Sequence, residues 1–326
     1  MTIILKNEEL KKCVSLSFEA IEVIEEAFKN LSEGKAIMPP IMRLDIEENN
    51  GEVDIKTAYI KGLDSFAIKM SPGFFNNPKI GLPSTSGLMV LLSAKTGLLE
   101  AVLLDKGYLT DIRTAIAGAI AAKYLTKKSL SNVGIIGAGA QARLQLEALM
   151  LVRKPKELRI WSRDLNKAKN YISDINKITK IKTLIAKNPQ EVTENSELVI
   201  TTTPSKTPLI KSDWLHPGLH ITAMGSDAEH KNEIDPKIIK AADLYVCDIQ
   251  SQTSLLGELH HAIKTGLIKE NHKFTEIGEI INGSKEGRKN SKEITICDLT
   301  GTGIQDTAIA RLAYKKALEK KLGLKL

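Results

Sequence analysis

A glycine-rich turn in the middle of the chain constrains its fold more than any other feature. Residues 133–136 form a short apolar run that predicts a buried β-strand; Gly137, Gly139 and Ala142 then follow in a GxGxxA pattern, and a helical run continues to Leu151. In this context the first glycine makes a tight turn, the second lets the backbone approach a pyrophosphate, and the alanine allows close packing of helix on strand. The alternative is a glycine turn without a ligand. Because strand, spacing and helix agree, we predict a dinucleotide-binding Rossmann domain whose helix N-terminus faces the phosphates.

The length and the hydrophobic pattern predict two domains. The chain has 326 residues, more than one hydrophobic core usually serves. From Asn132 onward, strand-like and helix-like runs alternate, which is typical of a doubly wound parallel sheet. The segment from Ile41 to Asp105 is instead strand-like with many turn signals, and Gly97 between two apolar runs predicts a hairpin. We therefore predict an α/β fold, with an α+β domain over residues 1–126 and a Rossmann domain over residues 127–298.

Two amphipathic or alanine-rich runs predict helices in the first half of the chain. Apolar residues recur between Leu16 and Phe28 at spacings that suit one helix face. A run from Thr110 to Leu125 is rich in alanine and predicts a helix that connects the domains, with Thr110 as its N-cap.

Composition and charge argue against several classes of function. The net charge is +7, but the basic residues are scattered and aromatic residues make up only 4% of the chain, so we expect no nucleic-acid partner. No apolar run is long enough to span a bilayer, and the N-terminus lacks the apolar run of a signal peptide. The three cysteines are far apart and form no CxxC pair, which fits a reducing cytoplasm. We expect a cytoplasmic protein without a membrane partner.

The end of the second Rossmann strand bears on the choice between NAD and NADP. Enzymes that use NAD place an Asp or Glu there to bind the ribose 2′-hydroxyl, whereas enzymes that use NADP replace it, often with an arginine nearby. Here the strand Leu158–Trp161 is followed by Ser162 and Arg163, which suit a 2′-phosphate. The alternative is that Asp164 takes the acidic role after a small shift. The sequence favours NADP(H) over NAD(H).

The motifs together resemble those of a known family. The stretches Gly107–Ala115, Ile136–Ala142 and Ala223–Asp227, the last followed by Glu233–Asp235, resemble the ornithine cyclodeaminase/mu-crystallin family, and the resemblance covers nearly the whole chain. Within the family, other stretches look closest to the ectoine-utilisation branch; these are Val53–Tyr59, Phe66–Phe75 and Gly257–Ile263.

The resemblance implies an activity and an assembly. The family includes cyclodeaminases, alanine dehydrogenases, ketimine reductases and iminosuccinate reductases, all of which use NAD(P) at the α-carbon of an amino acid. Its members are similar in forming homodimers through the non-Rossmann domain, to which the C-terminal helix returns. We therefore expect residues 299–326 to join residues 1–126 in a substrate-binding and dimerisation domain.

The resemblance also implies roles for individual residues. Arg43 and Arg113 would grip the substrate carboxylate, Lys69 would act as acid and base, and Asp227 would assist proton transfer. Burial among apolar neighbours would lower the pKa of Lys69. The residues expected to bind the cofactor are Thr114, Gly137, Gly139, Ala140, Gln141, Ser162, Arg163, Thr202, Thr203, Met224, Gly225 and Gly301.

Each of these roles has a plainer alternative. A lysine on a strand is usually a surface charge, and Arg113 could instead pair with Asp111 or Asp105 on a helix surface. Glu258, His260 and His261 resemble a metal cluster, but their spacing suits a polar helix face better, so no metal site is predicted.

The chain also departs from the family pattern at two places. Residues 298–301 read Asp-Leu-Thr-Gly where many members carry a serine before the glycine, and Thr300 is the expected substitute. The acidic residue that helps ornithine enzymes to hold the distal amino group has no clear counterpart in the segment 54–59, which argues against ornithine as the substrate.

These observations lead to one prediction and two alternatives. The prediction is an NAD(P)-dependent amino-acid dehydrogenase or imine reductase that acts on a small amino or imino acid. The first alternative is a cyclodeaminase that converts a diamino acid to a cyclic amino acid with release of ammonia. The second is a non-catalytic, crystallin-like protein that binds NADPH or another ligand.

Overall fold

The computed structural model describes residues 2–326. It divides into two compact units: the chain up to Thr114 together with Thr302–Leu326, and Ala115–Gly301. The sequence prediction placed the boundaries at 126/127 and 298/299. The first observed boundary falls inside a continuous helix, where no turn or change of composition marks it.

The elements are numbered in chain order. The strands are β1 (Ile3–Lys6), β2 (Ala36–Ile37), β3 (Met42–Ile46), β4 (Gly51–Ile60), β5 (Ser65–Phe74), β6 (Leu88–Ser93), β7 (Leu99–Leu104), β8 (Asn132–Ile136), β9 (Glu157–Trp161), β10 (Lys182–Ile185), β11 (Leu198–Thr201), β12 (His220–Ala223), β13 (Leu244–Cys247), β14 (Thr275–Glu276), β15 (Thr295–Asp298) and β16 (Leu324–Lys325). The helices are α1 (Asn7–Cys13), α2 (Phe18–Ser32), α3 (Tyr108–Leu125), α4 (Ala140–Val152), α5 (Leu165–Ile178), α6 (Pro189–Glu194), α7 (Lys237–Ala241), α8 (Gln250–Leu256), α9 (Glu258–Lys264), α10 (Ile277–Ile281) and α11 (Gly303–Glu319).

The first unit is built on one mixed sheet. Its strand order is β16-β1-β7-β6-β5-β4-β2, and β3 also pairs with β4. The pairs are antiparallel except for β1 and β7, which run parallel. The predicted hairpin is present as β6 and β7, and Gly97 in its turn has φ +70°. The strand-like segment predicted from the sequence began at Ile41 and did not include β1, because four residues carry too little pattern.

One face of this sheet is buried, and helix α11 packs on it. Because side chains alternate along a strand, paired positions on β4 to β7 share this face; they are Lys56, Ala58, Ala67, Lys69, Met89, Leu91, Ala101 and Leu103. Thr307 on α11 fixes the helix to the sheet, since its hydroxyl donates to Ala58 O at 2.7 Å and accepts from Ala67 N at 3.1 Å. A Cβ on Gly303 would lie only 2.4 Å from Thr57 O, so the helix can begin this close to β4 only with glycine.

The opposite face of the same sheet is apolar but only partly buried. Ile55, Ile68, Val90 and Val102 lie on it and remain partly exposed. Met42 and Leu44 on β3 belong to the same face and are each 60% exposed.

The second unit is a parallel sheet of eight strands. The order is β10-β9-β8-β11-β12-β15-β13-β14, and every pair is parallel. The chain order reverses between β8 and β11, and ligands of such sheets bind outside the carboxyl ends of the strands at that point. This confirms the predicted α/β fold with a Rossmann sheet.

Helix α3 begins earlier than the sequence indicated. Thr110 was predicted as its N-cap, but the helix starts at Tyr108, so Thr110 lies inside the first turn. Asp105 supplies the cap, because its carboxylate accepts from Leu109 N at 2.9 Å. Within residues 2–326, no helix is both long and apolar enough to cross a membrane.

Candidate active site

Three buried charged side chains meet in the first unit. Lys69 lies on β5 with 1% of its surface exposed, and its Nζ is 2.9 Å from Asp306 Oδ2. The other oxygen of Asp306 accepts from Arg113 Nε at 3.0 Å. Asp306 lies in the first turn of α11 and is fully buried, while Arg113 lies on α3. We call this arrangement the Lys69–Asp306–Arg113 cluster.

Burial and neighbouring charges set the proton affinity of the cluster. Burial is the largest cause that lowers the pKa of Lys69, the Arg113 charge lowers it further, and Asp306 opposes both; the result is a pKa of about 7. Burial would raise the pKa of Asp306, but Lys69 and Arg113 together hold it below its usual value. Lys69 can therefore gain or lose a proton near neutral pH while Asp306 stays ionised.

Arg43 is held by carboxylates of its own strand pair. It lies on β3, where its guanidinium is 2.9 Å from Asp45, 2.5 Å from Glu52 and 3.8 Å from Asp54. Arg43 pairs in register with Asp54 on β4. Two residues further along β4, on the same face, Lys56 pairs with Lys69, so Arg43 lies on the same sheet face as the cluster. The structure thus joins Lys69 and Arg113 through Asp306 and leaves Arg43 in an ion-pair group of its own.

The glycine-rich turn of the second unit has the shape that a pyrophosphate requires. Gly137 follows β8 with φ +117°, and its N–H donates to Trp161 O at 2.9 Å. Gly139 is the N-cap residue of α4, and a Cβ built on it would meet no atom within 4 Å. Ala140 and Gln141 form the first turn of this helix. The open space at the start of α4 therefore fits a dinucleotide phosphate.

The residues after β9 are arranged around the start of α5. Ser162 follows the strand, and its hydroxyl accepts from Asp164 N at 3.3 Å. Asp164 caps α5, because one of its oxygens accepts from Asn166 N at 2.9 Å and from Lys167 N at 3.3 Å. Arg163 between them is exposed.

A buried glutamate joins the loops after β11 and β12. Glu233 accepts from the Thr201 hydroxyl at 2.6 Å, from Thr203 N at 2.6 Å and from Gly225 N at 2.7 Å. Burial raises the pKa of Glu233, and these hydrogen bonds oppose the increase. Its role was not foreseen, although it stands in the Glu-Ile-Asp stretch that supported the family resemblance. Thr202 and Thr203 follow β11, and Met224 and Gly225 follow β12, so these predicted cofactor residues lie at the carboxyl edge of the sheet.

The remaining predicted residues lie in several places. Asp227 is in the loop after β12, with its side chain 46% exposed and Oδ1 2.5 Å from Lys231 Nζ. Gly301 N donates to Asp248 Oδ2 at 2.8 Å, and the Thr300 hydroxyl is 3.0 Å from Asp248 Oδ1. Thr114 follows Arg113 on α3. Asp227 and Gly301 belong to the second unit, and the Lys69–Asp306–Arg113 cluster belongs to the first.

The polar residues at the start of α9 serve the fold of the second unit. Glu258 is buried and accepts from Asn232 Nδ2 at 2.6 Å and from Glu233 N at 2.8 Å. Burial and, next, the nearby Asp298 raise the pKa of Glu258 well above its usual value. His261 Nε2 lies 2.7 Å from Lys231 O. Residues 2–326 contain no group of three or more His, Cys, Asp or Glu side chains placed to hold a metal ion.

Comparison with known proteins identifies the family. The sequence profile of the ornithine cyclodeaminase/mu-crystallin family matches residues 1–321, so the chain belongs to this family. An uncharacterized cyclodeaminase of Sinorhizobium fredii is 54% identical over 321 residues, which are 98% of this chain and 97% of the relative. A structure described as an archaeal alanine dehydrogenase dimer with bound NAD has a TM-score of 0.92 at 37% identity and covers 100% of this chain and 98% of its own. The Thermococcus litoralis Delta(1)-pyrroline-2-carboxylate reductase, solved with NADH and L-proline, has a TM-score of 0.94 at 32% identity and covers 100% of both chains.

Proposed function

We propose that the protein is an NAD(P)-dependent amino-acid dehydrogenase or imine reductase that acts at the α-carbon of a small amino or imino acid. The observation that carries the proposal is the buried Lys69, which lies 2.9 Å from Asp306 and has a pKa of about 7. An acid or base is most effective when its pKa lies near the working pH. The alanine dehydrogenase and the pyrroline-2-carboxylate reductase among its relatives support the same class of reaction.

The side chains of the first unit would handle the substrate. A guanidinium has five N–H donors in a planar fork. Arg113 donates from Nε to Asp306, so the two terminal nitrogens of Arg113 would hold the substrate carboxylate in bidentate fashion. A bound nicotinamide would supply or accept the hydride at the α-carbon. In the reductive direction, protonated Lys69 gives a proton to the nitrogen of the imine. In the oxidative direction, neutral Lys69 takes a proton from the amine.

The cofactor would lie on the second unit, with its pyrophosphate at Gly139 and the start of α4. For the choice of cofactor we propose NADP(H). This rests on Ser162 at the end of β9, on the exposed Arg163, and on Asp164, whose carboxylate already caps α5. The relatives solved with NAD and NADH show that the family also accepts the other cofactor.

We also propose that two copies associate through the apolar face of the first unit's sheet. Met42 and Leu44 are each 60% exposed there, and a contiguous apolar surface of this kind usually marks an interface. The archaeal alanine dehydrogenase is described as a dimer. The ectoine-utilisation branch, a cytoplasmic location and the assisting role of Asp227 stay predictions from the sequence.

A cyclodeaminase is the second candidate, because the relative from Sinorhizobium fredii, at 54% identity, is named one. Binding of NADPH and NADH to the purified protein, with mass spectrometry for any cofactor that copurifies, separates the two. Exchangeable NADPH and turnover of linear or cyclic imino acids would support the reductase. Tightly held NAD⁺ and release of ammonia from a diamino acid would support the cyclodeaminase. Failure to bind either cofactor would overturn both and leave the non-catalytic, crystallin-like alternative.

A further inference from the structure

We propose that Asp306 is a positioning residue of the active site, which fixes Lys69 and Arg113 relative to each other and keeps a proton on Lys69. The inference rests on the proposed function, because it assigns Asp306 to the site in which Lys69 transfers a proton. Asp306 was absent from the residues that the sequence singled out.

The geometry of the carboxylate supports this role. Its two oxygens serve different partners, since Oδ1 accepts from Arg113 Nε at 3.0 Å and Oδ2 lies 2.9 Å from Lys69 Nζ. A single rigid group thus sets the separation between the proposed carboxylate-binding side chain and the proposed acid. A shift of about 1 Å at such a group can cost roughly 100-fold in rate.

The helix that carries Asp306 is itself anchored on both sides of the residue. Before it, Gln305 and Thr302 form a capping box, in which Gln305 Oε1 accepts from Thr302 N at 2.8 Å. After it, Thr307 bonds to the backbones of β4 and β5, the second of which carries Lys69. The carboxylate is therefore fixed to the same sheet as the lysine that it contacts.

The charges around Lys69 explain why a carboxylate is needed. Arg113 from α3 and Lys56 from β4 both disfavour a proton on Lys69, while Asp306 from α11 and Asp105 before α3 favour it. Asp306 is the carboxylate in direct contact, and it is fully buried. Without it, the three buried cations Lys69, Arg113 and Lys56 would share a site of low dielectric, and Lys69 would give up its proton at a lower pH.

The test uses two substitutions that separate charge from position. Asp306→Asn removes the charge and keeps the shape, and Asp306→Glu keeps the charge and moves it by one methylene. Asp64→Asn is the matched control. Asp64 pairs with Arg311, which lies on the same helix as Asp306, and the side chain of Asp64 is 72% exposed. Binding of NADH and thermal unfolding report whether each variant is folded.

We expect Asp306→Asn to shift the alkaline limb of the kcat/KM profile for imine reduction to a pH about one to three units lower. We expect Asp306→Glu to retain the wild-type limb but to lower kcat and raise KM, and Asp64→Asn to match the wild type. If Asp306→Asn lowers the rate without moving the limb, or if Asp306→Glu matches the wild type in kcat and KM, the proposal is overturned. If Asp306→Asn does not fold, the Asp306→Glu result decides.

A second measurement does not depend on turnover. In protein labelled with ¹³C at lysine Cε, the signal of Lys69, assigned by its loss in Lys69→Met, is titrated in the wild type and in Asp306→Asn. A midpoint for Lys69 that is lower in the variant supports the role of Asp306 even if no imino acid is reduced, in which case only the proposed function fails. Equal midpoints overturn the role of Asp306 whatever the activity.

Discussion

Gly137 and Thr202 approach so closely that a Cβ on the glycine would lie 2.6 Å from the threonine hydroxyl oxygen. Gly137 also has φ +117°, a backbone angle that residues with a side chain rarely adopt. Gly139, two residues later, has φ −84° and open space where its Cβ would be. The two glycines of one motif are therefore constrained differently: the first by the protein itself, and the second, in the proposed function, by the dinucleotide.

This difference predicts opposite results for two alanine variants. Gly137→Ala should lower the free energy of unfolding by about 1–3 kcal/mol or more, through backbone strain and the contact with Thr202. Gly139→Ala should unfold like the wild type but bind NADH and NADPH at least about 10-fold more weakly, since its methyl group occupies the path of the pyrophosphate. Urea unfolding and fluorescence titration with the cofactor measure both effects. Equal stabilities for the two variants would contradict this assignment.

Replacement of Lys69 should strongly reduce turnover without affecting the binding of the cofactor. Lys69→Met keeps the volume of the buried side chain but cannot carry a proton, so kcat should fall by about 100- to 10,000-fold. Binding of the cofactor should be unchanged, because Lys69 and the glycine-rich turn belong to different units. Lys61→Met, on an exposed turn, is the control. Rates near those of the wild type in Lys69→Met would remove Lys69 from the mechanism.

Arg163→Ala should weaken the binding of NADPH far more than the binding of NADH. The exposed guanidinium would pair with the 2′-phosphate, which NADH lacks, and a charge-assisted contact of this kind is worth about 1.5–3 kcal/mol. Ser162→Asp is the complementary variant, because a carboxylate there would repel the phosphate and accept from the ribose hydroxyl of NADH. Dissociation constants for both cofactors test the pair of variants. Equal losses of affinity for NADH and NADPH in Arg163→Ala would show that this arginine does not distinguish the two cofactors.

His220 should make the fold sensitive to acid. Its ring bonds to the hydroxyls of Thr295 at 2.7 Å and Thr222 at 3.1 Å, and burial, followed by the charge of Arg288, lowers its pKa from the usual 6.5 to about 3. Between these values the unfolded chain takes up a proton that the folded chain does not, so the unfolding free energy falls as the pH falls.

The comparison with His220→Gln isolates this contribution. Because the variant lacks the titrating ring, the stability of the wild type relative to the variant should decrease by about 2 kcal/mol between pH 6.5 and pH 5. Urea unfolding at the two pH values gives the difference. A constant difference would show that the folded protein protonates His220 as readily as the unfolded chain does.

Much of the second unit was predictable because its pattern is local. The predicted strand at Leu158–Trp161 agrees with β9 to within one residue. The glycine spacing likewise predicted a helix directly after β8, and α4 is that helix. Strand β10 was missed, since Lys182–Ile185 is short and only partly buried and shows no alternation that a sequence pattern could reveal.

The site was harder to predict, because its parts are distant in the sequence. Arg113 and Asp306 are separated by 193 positions, and neither the local composition nor the spacing links them. The signal that could have found Asp306 is its context: Gln305, Asp306 and Thr307 are three polar residues in a helix whose neighbouring residues are apolar. All three are buried, and each bonds a group outside the helix interior.

The order of these three residues along the chain has a consequence for synthesis. The ribosome makes Lys69 and Arg113 long before it makes the counter-ion that both require, so the first unit cannot complete its interior until helix α11 has been made. The second unit is one uninterrupted segment, Ala115–Gly301, and is available to fold before the last helix emerges. A chain that stops at Gly301 therefore carries the whole second unit, with the proposed dinucleotide site, but leaves Lys69 and Arg113 without their shared carboxylate.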